Sequence, residues 1–122
     1  MANPINVVQH FQQALGKGDF TAARHLLHDN LSFRGPLDTF HKPEQYLEAL
    51  KKLHPMIQRV DVLKTFADGN DVCVLSEMVT NTPIGTAFSS EWFHVKGDKI
   101  SSIRIVFDAR PFVAMFAKEP AA

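Results

Sequence analysis

The spacing of apolar residues changes once along this chain, and that change limits the folds it can adopt. Up to residue 53 apolar side chains recur at helical spacing, whereas from residue 57 onward they tend to alternate with polar ones. The first pattern is typical of helices with one buried stripe, and the second is typical of strands with one buried face. Helices followed by consecutive strands predict an α+β fold. A chain of 122 residues is the size of one domain, so we expect a single domain over 1–122.

Three helices and a short strand are predicted in the first half of the chain. Helices are expected to begin after Asn3, after Asp19 and at Pro43, because side-chain caps and first-turn prolines favour helix starts. A short strand is expected at 31–34, where the following Gly35 and its neighbouring proline end the pattern.

Four long strands are predicted in the second half. Glycines at positions 69, 85 and 97 lie between them and suit hairpin connections, so we expect an antiparallel meander. A short helix is expected after Pro111. The predicted strands cover 57–67, 72–80, 86–95 and 100–108.

The charge balance argues against two classes of partner. Thirteen basic and thirteen acidic side chains cancel, and no basic stripe is present. Nucleic-acid binders and polybasic membrane anchors normally carry such an excess, so neither nucleic acid nor membrane is expected as a partner. Cys73 is the only cysteine, which excludes an internal disulfide. No secretory leader pattern is seen, and a cytoplasmic location is expected.

The chain also resembles the NTF2-like superfamily, and its SnoaL-like branch in particular. The resemblance implies a cone, in which a curved sheet wraps three helices around a pocket, and it implies a dimer, since many members are dimers. The segments that carry it are the helical pair at 7–31, His41-Lys42-Pro43-Glu44, and Gly97-Asp98-Lys99-Ile100 with the following 104–108.

Tight turns between the strands would set the register of the sheet. They place Glu91 opposite Arg104, Phe93 opposite Ser102 and Ala87 opposite Asp108, with Ser76 near Glu91 and Met78 near Ser89. A slip of one residue would reverse every facing.

In that register both faces of the sheet are apolar. Three helices can cover only one face, and a large apolar patch on the other requires a partner. We therefore expect a homodimer. The residues expected on its interface are Phe88, Trp92, Ile103, Ile105 and Phe107.

The opposite face of that register carries three candidate catalytic residues, Glu91, Arg104 and Asp108. A carboxylate in an apolar cavity has a raised pKa and suits acid–base chemistry near neutral pH. By resemblance to SnoaL-like cyclases, Asp108 at the end of the last strand would remove a proton next to a carbonyl group. An ordinary cross-strand pair between Glu91 and Arg104 is the alternative. The candidate ligand contacts are Ser76, Met78, Phe93, Tyr46 and Phe11.

No known site pattern of the resembled family is complete. Ketosteroid isomerases use a tyrosine on the first helix, whereas the only tyrosine here, Tyr46, falls on the third. His25 and His28 would share a helix face, but no third ligand is spaced to help them, so no metal or other cofactor is expected.

Three functions remain open from the sequence. The chain could be an acid–base enzyme of the isomerase, cyclase or dehydratase type acting on a small apolar carbonyl compound. It could instead bind a small molecule without turning it over, or serve as a dimerisation or interaction module. The fold alone does not choose among them.

Overall fold

A computed structural model describes residues 3–117 of the chain. The helices are α1 (Pro4–Gly16), α2 (Phe20–His25), α3 (Pro43–Leu53) and α4 (Arg110–Ala117), with a single 3₁₀ turn at His54–Met56. The strands are β1 (Leu27–Arg34), β2 (Thr39–Phe40), β3 (Ile57–Asp68), β4 (Asp71–Thr80), β5 (Thr86–Lys96) and β6 (Lys99–Phe107). The predicted order of helices and long strands is confirmed.

The helix starts follow from local capping. The Asn3 side chain accepts a hydrogen bond from the backbone N–H of Ile5 at 2.9 Å, and Asp19 accepts one from Ala22 at 3.0 Å. Lys42 makes no side-chain cap hydrogen bond, so α3 relies on its first-turn proline. None of the helices within 3–117 is long and apolar enough to cross a membrane.

The six strands form one sheet in the order β2-β1-β6-β5-β4-β3. Strands β3 to β6 form the predicted antiparallel meander, and β1 joins β6 in parallel. Strand β1 begins at Leu27, earlier than predicted, and α2 ends at His25. His28 therefore lies in a strand, and the prediction that it shares a helix face with His25 is wrong. Burial of Leu27 beside Ile100 of β6 favours the strand.

The first three helices cover one face of the sheet, called here the inner face. Phe11 of α1 meets Phe93 of β5, and Tyr46 of α3 stacks on Phe33 of β1. Val8, Phe11, Val74, Phe93 and Ile103 are each at most 1% exposed, and they belong to one apolar core between helices and sheet. That core fixes which side of each strand faces the helices.

A β-bulge changes the register of the last hairpin. His94 pairs with Ser102 but Val95 pairs with Ile100, so Ser101 is an extra residue on β6. The Ser101 hydroxyl donates to the His94 carbonyl oxygen at 3.2 Å. The register predicted from tight turns leaves out this extra residue. It therefore places β6 one position away from its true alignment with β5.

The predicted pairings in the last two hairpins are consequently wrong. Ile105, not Arg104, lies opposite Glu91, and Ile103, not Ser102, lies opposite Phe93. The preceding loop is also wider than assumed. Ser76 therefore lies opposite Ser89, and Met78 lies opposite Ala87.

These shifts reverse the facing of β6 only. Ile103 is fully buried on the inner face, and Ile105 and Phe107 follow it on the same side, so these three are not on the outer face as predicted. Arg104 and Val106 are exposed on the outer face instead. Phe88 and Trp92 of β5 are exposed on the outer face, as predicted.

Candidate functional site

Glu91 lies on the inner face of β5, beneath the helices. Its neighbours across the sheet are Val74 on β4 and Ile105 on β6. Two residues further along, Phe93 is in the filled core, whereas Ala87 and Met78 toward the other end of the strands are only half-buried. Glu91 therefore lies where the filled part of the cone gives way to its more accessible part.

Burial alone sets the charge state of Glu91. It raises the pKa of the carboxyl group from 4.5 to about 7, because water no longer stabilises the ionised form. No cation or hydrogen-bond donor among residues 3–117 opposes this shift. The carboxyl group is thus divided between its acid and base forms near neutral pH, which suits proton transfer.

Tyr46 and four phenylalanine side chains form an aromatic cluster next to Glu91. Within the cluster, Tyr46 stacks on Phe33 with ring centroids 4.5 Å apart and on Phe11 at 6.4 Å. Phe40 lies 6.5 Å from Tyr46, and Phe93 meets the edge of Phe11 at 6.4 Å. Burial, with a smaller effect from the negative charge of Glu91, raises the pKa of Tyr46 well above 10.0. The two polar groups are therefore close enough to interact.

The Glu91 carboxylate and the Tyr46 hydroxyl both border open space. Neither group has a hydrogen-bond partner within 3–117. In that range, every side-chain oxygen or nitrogen that is fully enclosed does have a partner. Both groups must therefore keep some accessible surface. Tyr46 is only 3% exposed and Glu91 is half-buried, so the carboxylate is the more accessible of the two groups.

A pair of hydroxyl groups lies on the inner face beyond Glu91. The side chains of Ser76 and Ser89 are buried and lie 3.2 Å apart across β4 and β5. Val60 and Val62 of β3 continue the same face, and each is about half exposed, at 51% and 50%. The inner face is therefore more accessible toward this edge of the sheet.

Asp108 does not share a face with Glu91, and the prediction that it lies in the cone is wrong. It follows the end of β6 and is exposed, with its carboxylate 2.9 Å and 2.7 Å from the Arg110 guanidinium. The Arg110 hydrogen bonds lower the pKa of Asp108 to about 2. An ionised carboxylate with an arginine partner outside the cone is poorly placed to act on a ligand inside it.

Arg104 is also outside the cone, so its predicted pairing with Glu91 is not formed. It pairs in register with Trp92 on the outer face. The bulge at Ser101 is the cause, because one extra residue turns the arginine to the opposite side. Of the three predicted catalytic residues, the structure leaves only Glu91 within the cone.

The predicted ligand contacts all lie on the helix-covered side. Phe11 and Phe93 are fully buried within the core, whereas Met78 is half-buried nearer the open edge. Phe33 and Phe40 are part of the same cluster, although neither was predicted as a ligand contact. The sequence around Phe33 and Phe40 predicts their contact with Tyr46 only weakly. That contact requires β1 to pair with β6, which is distant in the sequence.

The outer face carries an open groove of ≈ 560 Å³ beside Cys73 and Trp92. Asp71 accepts hydrogen bonds from the Trp92 indole at 2.8 Å and from the His94 ring at 2.9 Å, and these bonds lower the Asp71 pKa. Within 3–117 no three histidine, cysteine or acidic side chains come together as metal ligands.

Comparisons with known proteins agree with this architecture. The sequence model of the SnoaL-like domain matches residues 7–103. An NTF2-like protein of unknown function from Cytophaga hutchinsonii is 29% identical, with a TM-score of 0.81 over 93% of this chain and 96% of its own. The NTF2-like α+β fold predicted by resemblance, a curved sheet packed against helices, is confirmed.

Two more distant solved structures share the fold. An LEH-like epoxide hydrolase from M. tuberculosis is 20% identical, with a TM-score of 0.72 over 95% of this chain and 96% of its own. A putative polyketide cyclase from Sinorhizobium meliloti is 13% identical, with a TM-score of 0.76 over 85% and 99%. No match was found among curated protein sequences.

Proposed function

The chain belongs to the SnoaL-like domain family, and from that premise we propose that it performs acid–base chemistry on a small, mostly apolar carbonyl compound held in its cone. The observation that carries the proposal is Glu91, which is half-buried on the inner face and lacks a partner within 3–117. Two solved structures with the same fold are an LEH-like epoxide hydrolase and a putative polyketide cyclase. Both names are compatible with acid–base chemistry in this fold.

Glu91 is the proposed base. In its ionised form the carboxylate accepts a proton from a carbon next to the ligand's carbonyl group. The C–H electron pair forms a carbon–carbon double bond, and the carbonyl electron pair moves onto oxygen. With a pKa of about 7, Glu91 is basic enough to take this proton and acidic enough to return it.

Tyr46 is the proposed hydrogen-bond donor to that oxygen. Its ring lies within range of the Glu91 charge, and burial together with that charge keeps its hydroxyl group protonated by raising its pKa. A donor aimed at a developing oxyanion in a dry site strengthens as negative charge accumulates there. Glu91 then delivers its proton to the same or another carbon, so an isomerisation balances without a co-reactant.

Glu91 and not Asp108 is the residue to test. Cyclohexyl methyl ketone incubated with the protein in D₂O should exchange its α-protons for deuterium as Glu91 removes them and its carboxyl proton exchanges with solvent. ¹H NMR measures the loss of the α-proton signals. Glu91→Gln should reduce the exchange rate at least about 10²-fold, because the base is lost.

The matched control is Asp108→Asn, which changes an exposed carboxylate to an amide in the same way. It should exchange the ketone at the wild-type rate. The proposal would be refuted if Glu91→Gln exchanged the ketone at the wild-type rate while Asp108→Asn lost the exchange. Ketone binding without exchange in the wild-type protein would favour the alternative of a non-catalytic binding pocket.

We also propose that a second copy of the chain covers the outer face. Phe66, Phe88, Trp92 and Val106 are 52%, 55%, 47% and 67% exposed there, which is more apolar surface than a monomer usually leaves in water. The groove among them carries Arg104 and two aspartates, so the face holds both signs of charge and can complement itself about a two-fold axis. A cytoplasmic location stays a proposal based on the single cysteine.

A further inference from the structure

The interior of the cone holds a negative charge that nothing nearby balances. The charged residues of the neighbouring strands alternate away from Glu91, to the outer face: Asp71, Glu77, His94 and Arg104. On α1, His10 is exposed, and from α3 it is Tyr46 that faces the carboxyl group. Among the described residues, the ionised form of Glu91 has no counter-charge, so it is destabilised until a cation joins it.

The walls next to Glu91 favour an organic cation over an anion. Tyr46 of the aromatic cluster lies within range of the Glu91 charge, and Phe93 lies two residues along the same face of β5. The face of an aromatic ring is electron-rich and attracts ammonium groups within about 6 Å of its centroid. Both the carboxylate and the rings would repel a carboxylate or phosphate ligand. A positively charged group with apolar substituents satisfies both parts of the site.

We propose that the cone binds small apolar amines in their protonated form, with the ammonium N–H donating to the Glu91 carboxylate and the carbon groups packed against the aromatic cluster. This inference rests on the proposed function only in placing the ligand beside Glu91. Charge-assisted hydrogen bonds between an ammonium group and a carboxylate are stronger than those a neutral ketone can make with a protonated carboxyl group. Amines should therefore bind more tightly than ketones of the same shape and compete with them.

Two probes of nearly equal shape separate charge from size. N,N-dimethylcyclohexylamine is cationic at neutral pH, and cyclohexyl methyl ketone replaces its dimethylamino group with a neutral acetyl group. Titration calorimetry with each probe at about pH 8 measures affinity for the wild-type protein. We expect the amine to bind at least about tenfold more tightly than the ketone, since one charge-assisted contact is added.

The pH dependence identifies the carboxylate as the partner. The amine stays protonated between about pH 6 and pH 8, whereas Glu91 loses most of its charge over that interval. Affinity for the amine should therefore fall about tenfold from pH 8 to pH 6, since the ionised fraction of a group with a pKa near 7 falls by that factor. Glu91→Gln should lose both the tight binding and its pH dependence, and Asp108→Asn should keep both.

The outcomes separate this inference from the proposed function. Tighter binding of the amine that disappears in Glu91→Gln supports the inference. Equal or tighter binding of the ketone, or amine binding that Glu91→Gln leaves intact, overturns it. If the ketone exchanges its protons while the amine does not bind, only the inference fails. If neither probe binds and no exchange occurs, the inference and the proposed function both fail.

Discussion

Glu91 lies opposite Ile105, while Arg104, one position earlier on the same strand, extends from the other face of the sheet. The buried carboxylate is thereby separated from the arginine that could have held it ionised. This separation allows its pKa to rise to about 7, and the consequences can be measured in stability as well as in activity.

Glu91 should make the protein less stable as the pH rises. Its pKa is 4.5 when exposed and about 7 in the fold, so the folded state holds the proton more tightly. The contribution of Glu91 to the free energy of unfolding should be fully present below pH 4.5, fall as the pH rises from there through 7, and level off above it. The expected fall is about 3 kcal/mol as an order of magnitude.

Urea unfolding of the wild-type protein and of Glu91→Gln at about pH 5 and pH 8 tests this effect. The neutral amide does not titrate, so the variant should gain stability relative to the wild type at the higher pH. Identical pH dependence in the two proteins would show that Glu91 titrates as an ordinary exposed carboxylate.

Two adjacent residues test the register of β6. Ile103 is fully buried and Arg104 is exposed. Ile103→Ala should lower the free energy of unfolding by about 2–5 kcal/mol because it leaves a cavity in the core. Arg104→Ala should change it by less than about 0.5 kcal/mol, as for most surface substitutions. Chemical denaturation of both variants measures the difference, and a larger loss for the arginine variant would mean that the bulge at Ser101 is misplaced.

Tyr46→Phe should separate catalysis from stability. The hydroxyl group has no hydrogen-bond partner within 3–117, so its removal breaks no internal contact, and stability should change by less than about 1 kcal/mol. The rate of α-proton exchange should nevertheless fall about 10²–10³-fold if the hydroxyl group holds the oxyanion. Thermal melts and the NMR exchange assay give the two numbers. An unchanged exchange rate would exclude Tyr46 from the chemistry.

Charge placed on the outer face should prevent dimer formation. Val106 is 67% exposed among the apolar residues of that face. Sedimentation at micromolar concentration should show a dimer for the wild-type protein and a monomer for Val106→Glu, because a carboxylate in an apolar interface lacks a partner. Lys96→Glu, on an exposed hairpin residue, is the matched control and should remain dimeric. A monomeric wild-type protein would contradict the proposed interface.

The sequence was sufficient to predict the succession of elements because hydrophobic spacing, caps and glycines act locally. It also identified Glu91 and Tyr46 as separate candidates. It could not predict that Ser101 is inserted as a bulge, since a bulge is stabilised by pairing across the sheet. That one residue moved Arg104 and Asp108 away from Glu91. The contact of Phe33 with Tyr46 was equally hidden, because it depends on the long-range pairing of β1 with β6.

The pKa of Glu91 itself tests the proposed base most directly. A ¹³C NMR titration of side-chain carboxyl carbons, with Glu91→Gln identifying the Glu91 signal, measures it in the folded protein. The structure predicts a midpoint at about 7 for Glu91, with Asp108 at about 2 in the same experiment. A Glu91 midpoint near 4.5 would mean that its carboxylate is solvated or paired, and it would contradict both the proposed base and the proposed amine site.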